Sequence, residues 1–448
     1  MNKKILNLPI CLILSLFTLA SCAKKVEVTQ YEGYNLLWND EFSGSKLNDK
    51  IWNKEIRPSG WTNHELQAYT QDKENIYVKD GKLVLKAVQH TLKSGSHYYT
   101  SGKVQTSHKK DFMYGRVVVR AKAPKGQGLW PAIWMMPTDE KYGNWPVCGE
   151  IDIMEVLGND TTKTHGTIHY GAPHGQKQGT YVTKGASFSD DFHEFMIDWE
   201  PGEFRWYIDG ELYFKENNWF ARSRAGEDFD YPAPFNQNFF IQLNLAVGGD
   251  WPGDPDESTD FNKAQFEIDY VRVYQKDEYD MNVTRPEVKM PPKDENGNYI
   301  HNGDFNINES LSDIEDWQFL LAGGGQGNAT IKDGMLVIES SNAGTVDYSV
   351  QLVHRNIGSK KGKKYVISFD AKADAPRTIK VAVTAPEVNW IRYYPDTLHD
   401  IGTNWKTYTI EYTMRELDDA FGRLEFNLGN QGSTDTFYLK NVSLKELD

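Results

Sequence analysis

Three acids stand close together in the run Gly149-Glu-Ile-Asp-Ile-Met-Glu155. In a regular strand Glu150 and Asp152 share a face with Met154, and Glu155 points away. A bulge at Ile153-Met154 inserts one residue and returns Glu155 to the acidic face. The Cα atoms of Glu150 and Glu155 then span roughly 13 Å at strand rise. Both side chains must lean inward over Asp152 to reach the carboxyl separation of about 5–5.5 Å that double displacement at an acetal carbon needs. Crowding of like charges drives pKa values apart, so one glutamate can stay ionised to attack while the other keeps a proton for the leaving oxygen. A solvated acidic strand edge or an ion site would present the same three residues.

The elements that must position these acids are strands. From about residue 34 to 275, short aromatic and β-branched runs alternate with turn signals, as in Lys82–Val88, Gly115–Arg120, Phe195–Trp199, Phe204–Ile208 and Phe266–Tyr274. Long helical periodicity is absent, which predicts an all-β sandwich. Asp209-Gly210 supplies the two positive φ angles of a tight hairpin. Residues 276–299 carry Asp277, Glu278, Asp280, Pro286, Pro291 and Pro292 and read as a polar, proline-stiffened linker. Alternation returns over 300–448, in Met335–Glu339, Tyr365–Phe369, Ile379–Val383, Tyr408–Tyr412 and Tyr438–Leu444, which implies a second, smaller β-sandwich.

The chain has 448 residues, enough for two globular units, and its 13% aromatic content is that of a folded protein. Lys3 and Lys4 precede an apolar run from Ile5 to Ala20, the layout of a secretory signal over residues 1–21. Leu19-Ala-Ser-Cys22 resembles the lipobox of bacterial lipoproteins, which implies lipidation of Cys22 and a protein exported and anchored to a bacterial membrane, facing the periplasm or the cell surface. Cleavage would remove Cys11, and lipidation would use Cys22, leaving Cys148 with no partner for a disulfide. Loss of Lys3 and Lys4, with no acid in the removed segment, takes the formal charge from −14 to −16. That balance disfavours nucleic acid and suits an uncharged polymer such as a neutral glycan.

The acidic run lies between Gly128-Leu-Trp-Pro-Ala-Ile-Trp-Met-Met136 on one side and Gly166-Thr-Ile-His-Tyr170 and Asn244-Leu-Ala-Val-Gly-Gly-Asp-Trp-Pro-Gly253 on the other. With Trp38–Phe42, Asn63–Thr70, Tyr114–Arg116 and Ile268–Tyr274, the stretch 34–275 resembles family-16 glycoside hydrolases of laminarinase type. The resemblance implies a jelly-roll sandwich with a long glycan cleft and retaining endo-hydrolysis of a β-1,3-glucan. Carried over by position, Glu150 is the nucleophile, Glu155 the general acid/base, Asp152 the residue that tunes both, and His169 a neighbour of the site. Trp130, Trp134, Trp145 and Trp251 offer flat faces to sugar rings, Trp130 and Trp251 above all because each precedes a Pro in a Gly-rich loop; bulky core packing is the alternative for each. Asn63, Glu65 and Arg116 are further candidates for contacts to sugar hydroxyls. Cys148 stands where these enzymes carry a small residue. The six-residue acidic motif argues against mixed-linkage lichenases, whereas agarases and related galactan hydrolases share it; another β-glycan, such as mixed-linkage glucan or an agarose-type galactan, is the alternative substrate.

Residues 300–448 resemble the carbohydrate-binding modules found beside glucanases, with Gln351, Trp390, Tyr393 and Asn427 as groove candidates. Catalysis calls for no cofactor. The resemblance also implies a structural Ca²⁺ held through Glu41, Gly81 and Asp269, and oxygen ligands suit that ion. The chain is read as a monomer. The rival from another class is a non-catalytic glycan-binding lipoprotein, although a pure binder gains nothing from three like charges in its groove.

Overall fold

The computed structural model describes residues 28–312, 316–388 and 390–447. The signal segment 1–21 and Cys22 lie outside them. Among the described residues there is no α-helix: the chain forms strands, turns and one 3₁₀ turn at Asp347–Ser349. Among those residues no helix is long and apolar enough to cross a membrane.

Two large sheets form the first unit. One has seven strands in the order Gly175–Val182, Lys163–Tyr170, Glu150–Glu155, Leu129–Pro137, Phe239–Val247, Lys103–Gln105 and Asn53–Lys54. We call it the cleft sheet. Its partner, the back sheet, orders Glu211–Glu216, Glu203–Ile208, His193–Glu200, Gly115–Lys122, Gln265–Gln275, Lys82–Lys86 and Ile76–Lys79, and Asn35–Asp40 also pairs with Gln265–Gln275. Neighbours far apart in sequence, such as Leu129–Pro137 beside Phe239–Val247, give the crossed connections of a jelly roll. Alternation drives the layering: Ile133, Met135 and Ile151 from the cleft sheet meet Val117, Val119, Ile197 and Trp199 from the back sheet in one buried core. The Asp209-Gly210 hairpin has φ of 48° and 84°, the left-handed pair expected of that sequence.

Residues 276–299 contain no regular strand, yet they do not hang free. Lys276 Nζ reaches Glu200 at 2.8 Å, the Tyr279 ring packs 5.5 Å from Tyr114, Arg285 Nε donates to Asn218 at 2.7 Å, and Lys293 Nζ donates to Glu446 of the second unit at 2.9 Å. The prolines supply the extended backbone, and the charged and aromatic residues on either side of them fasten it down.

The second unit stacks two five-stranded sheets. One orders Trp317–Leu321, Val350–Ser359, Asp419–Asn427, Arg377–Ala385 and Ile391–Ile401, and the other Gln326–Lys332, Met335–Asn342, Phe437–Leu447, Lys364–Ala373 and Lys406–Thr413. A core separate from the first, including Trp317, Leu352, Phe369 and Phe426, lies between them.

Candidate active site

The geometry of the site starts from the register of Glu150–Glu155. Against Leu129–Pro137, Ala132 faces Glu155, Ile133 faces Met154, and Trp134 faces Asp152, so Ile153 is the inserted residue. Against Lys163–Tyr170, Asp152 faces Thr167 and Glu155 faces His165, so Ile153 and Met154 on one strand oppose Gly166 alone on the other. Ile153 and Met154 both enter the core, and the acids on either side emerge on the opposite face. The core also holds the bulge open. Gly166 lies opposite it, and a Cβ there would come within 2.5 Å of Trp206 Cδ1. Trp206 occupies that space from the back sheet and donates its indole N–H to the Asp152 carbonyl at 2.9 Å, satisfying a backbone group beside the disrupted ladder.

Glu150, Asp152 and Glu155 line a cleft of about 720 Å³ together with Asn63, Glu65, Trp130, Trp134, Trp145, His169 and Trp251. Each glutamate has its own indole donor: Trp145 Nε1 lies 2.6 Å from Glu150 Oε2, and Trp130 Nε1 lies 3.2 Å from Glu155 Oε1. Asp152 is buried, with Oδ2 3.3 Å from His169 Nε2 but without the alignment of a hydrogen bond. His169 Nδ1 in turn contacts His174 Nε2 at 2.9 Å.

Burial is the largest influence on both glutamates, and the charge of Asp152 is the next. Together they push Glu150 up to about 8, against opposing effects of His169 and the Trp145 N–H. They hold Glu155 well above the ordinary carboxyl value, and there Glu150 adds to the effect. Burial pushes His169 down, but the adjoining Asp152, Glu150 and Glu155 outweigh it and raise His169 to about 9. Burial, then the charge of His169, lowers His174 to about 4. The chain His174–His169–Asp152 therefore sets an imidazolium beside the three acids and ends in a neutral imidazole. Such an arrangement can keep one carboxyl protonated as a donor and leave the other, Glu150 with the shorter indole bond, as the nucleophile.

Flat and polar surfaces flank the acids. Trp130 and Trp251 pack edge to face at 5.4 Å, and His165 lies 5.1 Å from Trp251. Trp134 donates to Asn244 Oδ1 at 2.6 Å, and Asn244 Nδ2 donates to the Tyr69 hydroxyl at 3.0 Å. Glu65 accepts from Gln67 at 2.7 Å and Asn63 at 3.1 Å. The turn carrying Asn63 and His64, with φ of 49° and 53°, locks onto the glycine loop: Asp250 N donates to Asn63 O at 2.9 Å, and a Cβ on Gly249 would meet that same oxygen at 2.8 Å. This contact presents Trp251 at the cleft wall.

The structure corrects two candidates. Arg116 lies on the back sheet, where its guanidinium grips Asp198 through two bonds of 2.6 and 2.8 Å and sits 4.6 Å from the ring centres of both Tyr31 and Tyr34. It is a structural ion pair remote from the cleft lining. Tyr393 turns into the core of the second unit and donates to Asp419 Oδ2 at 2.8 Å. The other candidates of that unit come together: Gln351 Nε2 donates to Asn427 Oδ1 at 2.6 Å, both residues are buried beside Glu425, and Arg423, bonded to Glu425, lies 4.4 Å from the ring centre of exposed Trp390.

Trp61, Lys103 and His174 are among the cleft residues that were not anticipated. Trp61 precedes Asn63 by two positions, and that proximity to a quoted motif was a usable signal. Lys103, nearly inaccessible, places Nζ 4.7 Å from the ring centres of both Trp61 and Trp134 and 3.5 Å from Glu55; a lysine in a strand gives no hint of such a place. His174 lies beyond the His169 strand and carried no pattern of its own.

Both carboxylates of the calcium set are held by arginines. Glu41 binds Arg272 through both oxygens, at 2.8 and 2.9 Å, Asp269 pairs with Arg120 at 2.6 Å, and Gly81 stands in the turn after Ile76–Lys79. As folded, this donor set does not fit a cation without displacing an arginine. Cys148 is a buried free thiol, pushed up to about 12 by burial, then by Glu140 and Glu150.

Comparison with known proteins agrees with this geometry. Residues 63–272 match the model "Glycosyl hydrolases family 16", and residues 297–436 match "Carbohydrate binding domain". A glucan endo-1,3-beta-glucosidase of Cryptopygus antarcticus is 40% identical over 53% of this chain and 90% of its own length. A beta-glucanase of Rhodothermus marinus is 40% identical over 54% of this chain and 85% of its own. Glucan endo-1,3-beta-glucosidase A1 of Niallia circulans is also 40% identical over 54% of this chain, although only 38% of that longer protein is covered. With the acids, the bulge and the tryptophan-walled cleft in place, the chain belongs to glycosyl hydrolase family 16.

Proposed function

We propose that the protein hydrolyses β-1,3-glucan internally and with retention of configuration. Glu150 attacks the anomeric carbon, the glycosidic C–O bond breaks, and the leaving oxygen takes the Glu155 proton. Glu155, now a carboxylate, accepts a proton from water as that water attacks the glycosyl-enzyme and releases Glu150. Asp152 lies between them and holds both pKa values up. The observation that carries this reading is the single-residue bulge, which places two indole-bonded glutamates on one cleft face on either side of a buried aspartate. The open cleft and its tryptophan faces support attack within a polymer.

The test is the release of reducing ends from laminarin, mixed-linkage glucan and agarose, with the anomer of the first product followed by NMR. Laminarin should be cut into oligosaccharides carrying the β-anomer. Preferential cleavage of agarose would reassign the substrate to a galactan. Intact binding without product would favour the glycan-binding rival.

The same reading includes export and a lipid anchor at Cys22, supported by the lipobox resemblance. Cys22→Ala should leave an active protein that no longer fractionates with membranes, and unchanged fractionation removes the anchor. A monomer is expected in solution. A structural Ca²⁺ at Glu41, Gly81 and Asp269 would require Arg272 or Arg120 to give way; a melting temperature that falls on chelation supports it, and an unchanged one removes it.

A further inference from the structure

A second depression adjoins the catalytic cleft and reaches the C-terminal unit. His174, Gln176 and Gln178, at the edge strand of the cleft sheet, line the cleft and also line this depression, whose far wall is Glu387 and Trp390 of the C-terminal unit. Ion pairs hold the two walls together. Lys177 Nζ on the same edge strand lies 2.7 Å from Glu387 Oε2, and nearby Arg222 Nη1 reaches Glu416 at 2.5 Å, with Lys361 Nζ 2.6 Å from Asp228. Arg222 is buried, the other groups of these pairs stay partly exposed, and Tyr170 and Phe220 of the first unit line the junction with Ile391 and Phe421 of the second.

The groups along this path suit a sugar chain. Trp145, which bonds Glu150, packs 4.9 Å from His174. Two glutamine amides follow, and then Trp390, a residue 48% exposed although Arg423 stacks 4.4 Å from its ring centre. An indole that is backed by a cation and open to solvent is a preformed platform for the C–H face of a pyranose. Donors and acceptors between two aromatic platforms match a run of hydroxyls on a neutral polysaccharide.

Building on the β-glucan reading above, we propose that the C-terminal unit extends the catalytic cleft, so that one glucan chain runs from Glu150 past His174 to Trp390. This differs from a tethered module that captures a separate stretch of polymer, which would raise local concentration without lengthening the site.

The test uses the full chain carrying Glu150→Gln, so that binding is read without turnover. Soluble β-1,3-gluco-oligosaccharides of increasing length are titrated by calorimetry. Affinity should keep rising beyond the length that fills the catalytic cleft, with one long chain bound per protein. Trp390→Ala should lower the ratio of long-chain to short-chain affinity by about three- to tenfold, the scale of one lost stacking contact. Lys177→Glu should lower the same ratio, and adding Glu387→Lys should recover it if the two walls must stay aligned. Two oligosaccharides bound per protein, or a length dependence that Trp390→Ala leaves intact, would overturn the shared cleft and leave the substrate reading standing. Failure of oligosaccharides of every length to bind would remove the substrate reading and this inference with it.

Discussion

Trp145 places its indole N–H 2.6 Å from Glu150 Oε2, and this bond stabilises the ionised form of the residue that must attack. Trp145→Phe keeps the flat ring and removes the donor. The pKa of Glu150 should rise further, because the lost bond is one of the influences that lower it. The acid limb of kcat/KM should move to higher pH, and the rate at the wild-type optimum should fall by about tenfold or more. An unchanged pH profile would show that Trp145 serves only as a sugar platform.

The roles of Glu150 and Glu155 separate on an activated aryl β-glycoside. Glu150→Ala should abolish turnover, and added azide, entering the vacated face, should give the α-glycosyl azide. Glu155→Ala should lose about 10²–10⁴-fold on laminarin, whose leaving alkoxide needs a proton. It should keep the first step on the aryl substrate and give the β-glycosyl azide after two inversions. Exchanged anomers would reverse the two assignments.

Raised carboxyls move the working range toward neutral and alkaline pH. Glu150 must be ionised to attack, so kcat/KM should fall as pH drops through about 8. Glu155 must be protonated to donate, so its raised value sets the alkaline limb. After burial, the charge of Asp152 contributes most to raising both. Asp152→Asn should therefore move both limbs to lower pH and slow the reaction without changing the product anomer. Limbs that stay in place would mean that Asp152 acts by position rather than charge.

The bulge depends on the space left by Gly166. Gly166→Ala would drive a methyl to 2.5 Å from Trp206 Cδ1 and 2.6 Å from the Tyr213 hydroxyl. Overpacking of this kind costs about 1–3 kcal/mol, seen as a lower midpoint in denaturant with unchanged slope. Activity should fall by more than the folded fraction accounts for, because Trp206 also bonds the Asp152 carbonyl. Full activity in the folded fraction would show that the bulge keeps its shape without that contact.

The sequence by itself determined whatever depends on near neighbours. The alternation of Gly115–Arg120 or Tyr365–Phe369 marks half-buried strands, Asp209-Gly210 specifies its turn, and the spacing of Glu150, Asp152 and Glu155 requires an extra residue in the strand if all three are to share a face. These follow from side-chain period and backbone sterics over a few residues. Tertiary structure decided which face each side chain meets. Arg116, in the Tyr114–Arg116 motif, reads as a sugar contact, yet strand order puts it on the back sheet against Asp198. Tyr393 and Trp390 are three residues apart, and one turns into the core while the other stays exposed. Lys103 is buried between two tryptophans only because Lys103–Gln105 pairs beside Phe239–Val247. Contacts between strands more than a hundred residues apart are set by the packing of two sheets and, at Lys177 and Glu387, of two units, and no local pattern encodes such pairings.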